Sequence, residues 1–389
     1  MSKVNIERLH PPATIGLVGG GQLGRMFIFE AKRMGYNVVV LDPNHNSPAG
    51  QVADQQIVAD FSDRDAYLQL AKESDVITYE FEHIDAEILK HVENQGFRVI
   101  PSSKTLEIIQ DKYRQKTFLE EIGVKVARFS SVQDFDDLKS KFELMNRKGI
   151  LKSCTNGYDG KGNFLVRSED DLEKAFLEFG EQGILIEELV DFVREVSIVV
   201  VRNQSGVFFY PVSENVHSKS ILIKTLVPAA IPEGLEAKII EISEKIAHEL
   251  DDFGVYCIEY FIDKNQEVLV NEIAPRPHNS GHYTIEGCVS SQFEQLVRVV
   301  CGMPAGSTQL RKPCAMYNIL GDQHVSGEYE IGGLEGVLEI EDCHLHLYGK
   351  QKTGNLRKIG HLTAFGQTRE DADLKAIKAM SMLSIREKK

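Results

Sequence analysis

Residues 259–282 read Glu259-Tyr260-Phe261-Ile262-Asp263-Lys264-Asn265-Gln266-Glu267-Val268-Leu269-Val270-Asn271-Glu272-Ile273-Ala274-Pro275-Arg276-Pro277-His278-Asn279-Ser280-Gly281-His282. Apolar residues alternate on both sides of the polar segment 263–266, which predicts two strands joined by a turn. A hairpin there brings Glu259 and Glu272 side by side. Two carboxylates on adjoining strands repel unless a cation stands between them. Hard oxygen ligands suit Mg²⁺, or Mn²⁺ in its place, bridging the phosphates of a nucleotide. Arg276, His278, Asn279 and Ser280 follow at once and can hold an anionic acceptor against that nucleotide. The combination predicts a phosphate-transfer site in preference to an edge hairpin of solvated acids.

The segments upstream of the hairpin supply the rest of a nucleotide site. Gly149-Ile150-Leu151-Lys152-Ser153 is an apolar strand carrying one lysine. Asn156-Gly157-Tyr158-Asp159-Gly160-Lys161-Gly162 follows as a glycine loop whose amides can wrap phosphate oxygens, with Lys161 adding charge. Its spacing is not that of a P-loop. The apolar strand over 183–190 runs into Glu187 and Glu188, and another strand starts at Arg194 and Glu195. An apolar slot of this kind suits adenine, with Glu187 or Glu195 for the ribose hydroxyls. His217 is read as a surface histidine, and 232–250 as a long amphipathic helix.

Near the start, 14–18 is an apolar strand, Gly19-Gly20-Gly21-Gln22-Leu23-Gly24 a tight turn, 25–34 a helix, and 37–41 a second strand ending at Asp42. This order fits the dinucleotide fingerprint, with Asp42 where a ribose-binding acid stands. Amides at a helix N-terminus accept a single phosphate equally well. A substrate phosphate is the preferred expectation; a dinucleotide and a ligand-free turn are the alternatives. Further strands are expected over 54–59 and 75–79. Glu80 and Glu82 lie past the second of these, where they either contact a ribose or an amine or stand in a solvated loop.

The chain of 389 residues is too long for one core. The divisions expected are 1–111, a Rossmann-like parallel sheet; 112–305, the nucleotide domain with a lid over about 125–190; and 306–389, a small β-rich domain. A loop is expected over 327–336 and a helix from 371 to the end. The net charge of −14 argues against nucleic acid or anionic membrane as a partner. Six cysteines without a CxxC pair, and no apolar segment of spanning length, point to a cytoplasmic protein with free thiols.

This order of elements resembles the ATP-grasp superfamily, and its strings resemble the N5-carboxyaminoimidazole ribonucleotide synthase family within it. The carriers are the turn 19–26, the string 78–82, Gly157 to Gly162, Asn271 to His282, and Leu347-Tyr348-Gly349-Lys350 with Arg357-Lys358-Ile359-Gly360-His361. Cys154 and Asn156 depart from the family's usual arginine and glycine, leaving the loop less positive. The resemblance implies ATP contacts from Lys112, Lys152, Gly157, Tyr158, Asp159, Gly160, Lys161, Gly162, Glu187, Glu188, Glu195, His217, Asn271 and Glu272. It implies Mg²⁺ on Glu259 and Glu272. It implies that aminoimidazole ribonucleotide lies among Gly21, Gln22, Leu23, Glu80, Tyr158, Asp159, Arg276, His278, Lys350 and Arg357. Bicarbonate is then the acceptor at Arg276, His278 and Asn279, with Lys152 assisting transfer, in a homodimer.

Overall fold

The computed structural model describes residues 7–155, 162–179 and 183–388. Its first sheet is parallel, ordered Gln55–Ile57, Asn37–Leu41, Thr14–Val18, Val76–Tyr79. Helix Gln22–Arg33 joins Thr14–Val18 to Asn37–Leu41, helix Arg64–Lys72 joins Gln55–Ile57 to Val76–Tyr79, and helix Ala86–Asn94 follows the last strand. Ile15, Leu17, Val38, Val40 and Val76 are buried, as strands covered on both faces require. Asp63 and Asp85 cap the second and third helices, accepting from backbone amides in their first turns.

A four-stranded antiparallel sheet, Phe129–Val132, Ile184–Glu188, Gly149–Ser153 and Asn163–Val166, lies within residues 125–190. Helices Phe135–Leu144 and Glu169–Phe179 pack on it through Leu138, Phe142, Leu172 and Ala175.

The largest sheet is ordered Val268–Ala274, Gly254–Asp263, Phe192–Asn203, Ser213–Ser218, Ile221–Val227, Cys314–Leu320, Lys358–Phe365, Cys343–Leu347. Ile221–Val227 pairs directly with Cys314–Leu320. The sheet therefore runs unbroken from the central region into the C-terminal third. Two expectations there need correction. Residues 327–336 contain the strand Gly327–Gly332 and part of the helix Leu334–Leu338; the strand pairs with Ser384–Glu387, close to the chain's end. The last helix spans Arg369–Met382 and gives way to that strand. Among the described residues no helix is long and apolar enough to cross a membrane.

Candidate functional site

The hairpin forms from Gly254–Asp263 and Val268–Ala274, with Glu259 directly opposite Glu272. The ladder then slips, because Tyr260 pairs with Val270. Asn271 is thus the extra residue of a bulge, a device that re-aims side chains beside active sites. Its Oδ1 is buried without a partner. Lys112 Nζ donates to Glu272 Oε2 at 2.9 Å. Lys112 holds Glu272 well below the usual carboxylate range, whereas burial and then the Glu272 charge push Glu259 up. Unequal protonation is what two crowded acids adopt without a cation between them. The described residues hold no cluster of three His, Cys, Asp or Glu side chains fit for a metal. Glu259, Glu272 and the orphaned Asn271 oxygen nevertheless form a hard-oxygen set of the kind Mg²⁺ prefers.

Next to this set lies a group of lysines. Glu187 Oε2 is held between Lys116 Nζ at 2.9 Å and Lys152 Nζ at 3.0 Å. Glu187 is 2% exposed, which corrects its expected role at a ribose: its charge is spent on two ammonium groups. Lys116 was not anticipated. It follows Lys112 by four residues, hence on the same face of the helix Lys112–Glu121, and that spacing was the available signal. Burial, with Lys152 nearby, lowers the proton affinity of Lys116. Glu188 is half-buried and stands 3.9 Å from Arg128 Nε.

Glu195 and His217 meet through Oε2 and Nδ1. Burial opposes the charge on His217, but the bond to Glu195 and the nearby Glu259 raise its proton affinity overall. His217 is therefore a half-buried partner of Glu195, which corrects its reading as a surface histidine. Gly157, Tyr158, Asp159, Gly160 and Lys161 lie outside the described residues; Gly162 is described and adopts φ +82°.

The loop after the hairpin is braced on three sides. Arg276 Nε and Nη2 donate to Glu82 at 2.5 and 2.8 Å. The Gln292 side chain clamps His278, accepting from its N–H at 2.9 Å and donating to its carbonyl at 2.8 Å. Asn279 exchanges two hydrogen bonds with Asn318. Both ends of the Asn279 amide thus take part in this pair. His278 Nδ1 lies 2.9 Å from Ser280 Oγ and 3.3 Å from the Ser280 backbone nitrogen, and its Nε2 lies 3.5 Å from Glu259 Oε1. Burial, then the Arg276 charge, lowers His278 to about 3.

Burial pushes Glu82 up, yet the Arg276 charge and hydrogen bonds outweigh it and bring Glu82 to about 2. A depressed carboxylate stabilises the fold above its unfolded value near 4.5, and that stability is lost as pH falls through the folded value. Glu82→Gln should therefore cost about 3 kcal/mol at pH 7. Urea unfolding of both proteins should show the gap shrinking by more than half by about pH 3; a pH-independent gap would contradict the pairing.

At the N-terminal glycine turn, Glu80 accepts from the Gly21 and Gly24 amides, and Asp42 accepts from Gly20 N at 2.8 Å. A Cβ at Gly21 would stand 2.6 Å from Glu80 Oε1. The anion seat at this helix start is filled from within the chain. Asp42 is 6% exposed and also receives Asn44 N at 2.8 Å, so it is a brace and not a free ribose acceptor. The amides of Gly20, Gly21 and Gly24 are thus taken up by Asp42 and Glu80. Gln22 and Leu23 are half-buried at its rim.

Lys350 is brought to that rim from far along the chain. Gln51 Nε2 donates to Gly349 O at 2.9 Å, while Arg25 Nη1 donates to Gln51 Oε1 at 2.9 Å. Lys350 Nζ donates to Lys358 O at 2.7 Å. Arg357 N donates to Gly354 O at 3.1 Å.

Comparison with known proteins gives three family matches: an ATP-grasp domain over residues 117–293, a ribonucleotide synthetase preATP-grasp domain over 12–110, and a phosphoribosylaminoimidazole carboxylase C-terminal domain over 314–375. An N5-carboxyaminoimidazole ribonucleotide synthase of Bacillus subtilis is 40% identical over 364 residues, 93% of this chain and 94% of that one. The crystal structure of the Thermotoga maritima synthetase of that name superposes with a TM-score of 0.88 at 43% identity, covering 97% of this chain and all of the other. The Aspergillus clavatus synthase in complex with ADP and 5-aminoimidazole ribonucleotide gives 0.87 at 33% identity, covering 95% and 98%.

Proposed function

The chain belongs to the N5-carboxyaminoimidazole ribonucleotide synthase family of ATP-grasp proteins, and on that premise we propose how its residues divide the work. It is an ATP-dependent ligase that carboxylates the exocyclic amine of 5-aminoimidazole ribonucleotide, a step of purine biosynthesis. Glu259, Glu272 and Asn271 would hold Mg²⁺, which when bound neutralises charge on the nucleotide phosphates. Lys112 and Lys152 reach the phosphates, and Glu195, steadied by His217, receives the ribose hydroxyls. Arg276 and the imidazole of His278 bind bicarbonate.

A bicarbonate oxygen attacks the γ-phosphorus of ATP. The bond to the β,γ-bridging oxygen breaks, releasing ADP and forming carboxyphosphate. The amine of the ribonucleotide attacks the carboxyl carbon, phosphate leaves, and the nitrogen loses a proton. Arg276 stays within reach of the carboxyl group throughout, and lid closure excludes water from the fragile acyl phosphate. Lys350 and Arg357 hold the ribonucleotide's phosphate. A cytoplasmic homodimer belongs to the same reading and rests on the family alone.

The observation that carries this reading is the placement of Glu259 opposite Glu272, with the Arg276–His278 loop following in the same strand's continuation. It is tested by ADP release with Mg-ATP as each substrate is omitted in turn. Full turnover should require both bicarbonate and the ribonucleotide; turnover indifferent to bicarbonate would contradict it. Lys350→Ala should raise the KM for the ribonucleotide roughly 10- to 100-fold, the loss of one charge-assisted bond worth about 1.5–3 kcal/mol. The KM for ATP should not move. A change confined to ATP would remove Lys350 from the phosphate.

A further inference from the structure

The loop bearing Arg276 and His278 is tied to the C-terminal third by a pair of amides. Asn279 Nδ2 donates to Asn318 Oδ1 at 2.9 Å, and Asn318 Nδ2 donates back to Asn279 Oδ1 at 2.7 Å. Asn318 Nδ2 also donates to Leu222 O at 2.8 Å. The two residues are 7% and 2% exposed. Water does not compete for bonds buried this deeply, and breaking one leaves a stranded polar group.

Asn318 lies near the end of the strand Cys314–Leu320. Just beyond that strand, Gly321 N donates to Arg357 O at 2.8 Å and Leu356 N donates to Gly321 O at 3.0 Å. A side chain at Gly321 would collide with the Gly354 carbonyl, so this approach has no slack. On its other side, Asn318 lies in register with His361 of Lys358–Phe365. The first carbonyl of that strand receives Lys350 Nζ at 2.7 Å. This strand therefore touches the loop proposed to activate the carboxyl group, the residue after it bonds the Arg357 backbone, and its partner Lys358 carries the carbonyl that receives Lys350.

We propose that Asn318 is a positioning residue: its amide pair with Asn279 sets the distance between the Arg276–His278 pocket and the Lys350–Arg357 cations, so that the substrate amine meets the activated carboxyl group before water does. The inference rests on the assignment of those two groups given under Proposed function. The ribonucleotide is held at its phosphate and reacts at its far end, so its alignment depends on that spacing. A misplacement of about 1 Å between reacting groups costs on the order of a hundredfold in rate. The carboxyl intermediate then hydrolyses, and ATP is consumed without product.

The test measures ADP and ribonucleotide-bound label from radiolabelled bicarbonate in parallel, for the wild type and Asn318→Asp. Aspartate keeps the size but presents an oxygen to Asn279 Oδ1 and Leu222 O, where the amide had donated. ADP released per carboxylated product should rise about threefold or more, and the KM for the ribonucleotide about tenfold, with that for ATP changed less than about twofold. Mg-ATP should still raise the thermal midpoint of the variant. If Asn318→Asp does not accumulate as folded protein, Asn318→Ser breaks the reciprocal bond without adding charge and carries the same expectations. A folded variant with unchanged ratio and ribonucleotide KM overturns the inference, as does an ATP KM rising in step with that of the ribonucleotide. Wild-type protein that releases ADP without labelling the ribonucleotide overturns the functional assignment itself, and this inference with it.

Discussion

Glu272→Ala should abolish ADP formation, lowering turnover roughly a thousandfold or more. The charge stabilisation that a bound cation gives a transferring phosphoryl group is worth several kcal/mol, and each 1.4 kcal/mol is tenfold. The substitution removes one of the two facing acids and also strips Lys112 of its partner at 2.9 Å. Lys112 would then be free to swing. The Glu272 side chain keeps 41% of its exposure, so it opens onto the cleft and is not a core residue. Glu272→Gln, which retains the shape and one oxygen, should lose nearly as much activity. Near-normal turnover by either variant would contradict the role given to the acid pair.

Arg276→Ala should be the second large loss, acting on the other substrate. Its guanidinium donates through Nε and Nη2 to Glu82 and through Nη1 to Pro277 O at 3.1 Å. Five N–H groups in a fixed fork leave two for an oxyanion. Losing such donors in a site closed to water costs on the order of 10²–10³ in rate. We expect a fall of that size in kcat/KM for bicarbonate, with the KM for ATP nearly unchanged. Stability should fall as well, by about 3–5 kcal/mol, because Glu82 is left buried with its charge uncompensated. Arg276→Lys separates the two effects: it restores a charge near Glu82 but not the fork. Stability should largely return while bicarbonate use stays impaired. Steady-state kinetics with varied bicarbonate, alongside urea unfolding, measures both. Full recovery of bicarbonate use by the lysine variant would show that charge alone suffices.

What the sequence disclosed and what it hid divide along a physical line. The hairpin was legible because strand alternation and a polar turn are local, and they set Glu259 against Glu272 within one short span. The strand bearing Lys152 was legible for the same reason. Hidden were contacts that only tertiary folding creates. Glu80 reaches back 59 residues to Gly21, filling a seat that the glycine pattern had suggested for a ligand. Nothing near Glu187 shows that two lysines from separate elements will enclose it. Asn279 looked chemical because it stands beside His278, yet Asn318, 39 residues on, uses both ends of its amide. The strand Gly327–Gly332 escaped notice because its main partner lies at the other end of the C-terminal third. Lys116 is the exception, since the i, i+4 relation to Lys112 was in plain view.

The central claim is that Glu259 and Glu272 jointly hold the cation of a metal–nucleotide complex. Crystals grown with Mn²⁺ and ADP test it by anomalous diffraction. The account predicts a peak between the two carboxylates, with the nucleotide's phosphates turned toward Lys112 and Lys152. A peak elsewhere, or nucleotide density against the turn from Gly19 to Gly24, would contradict it.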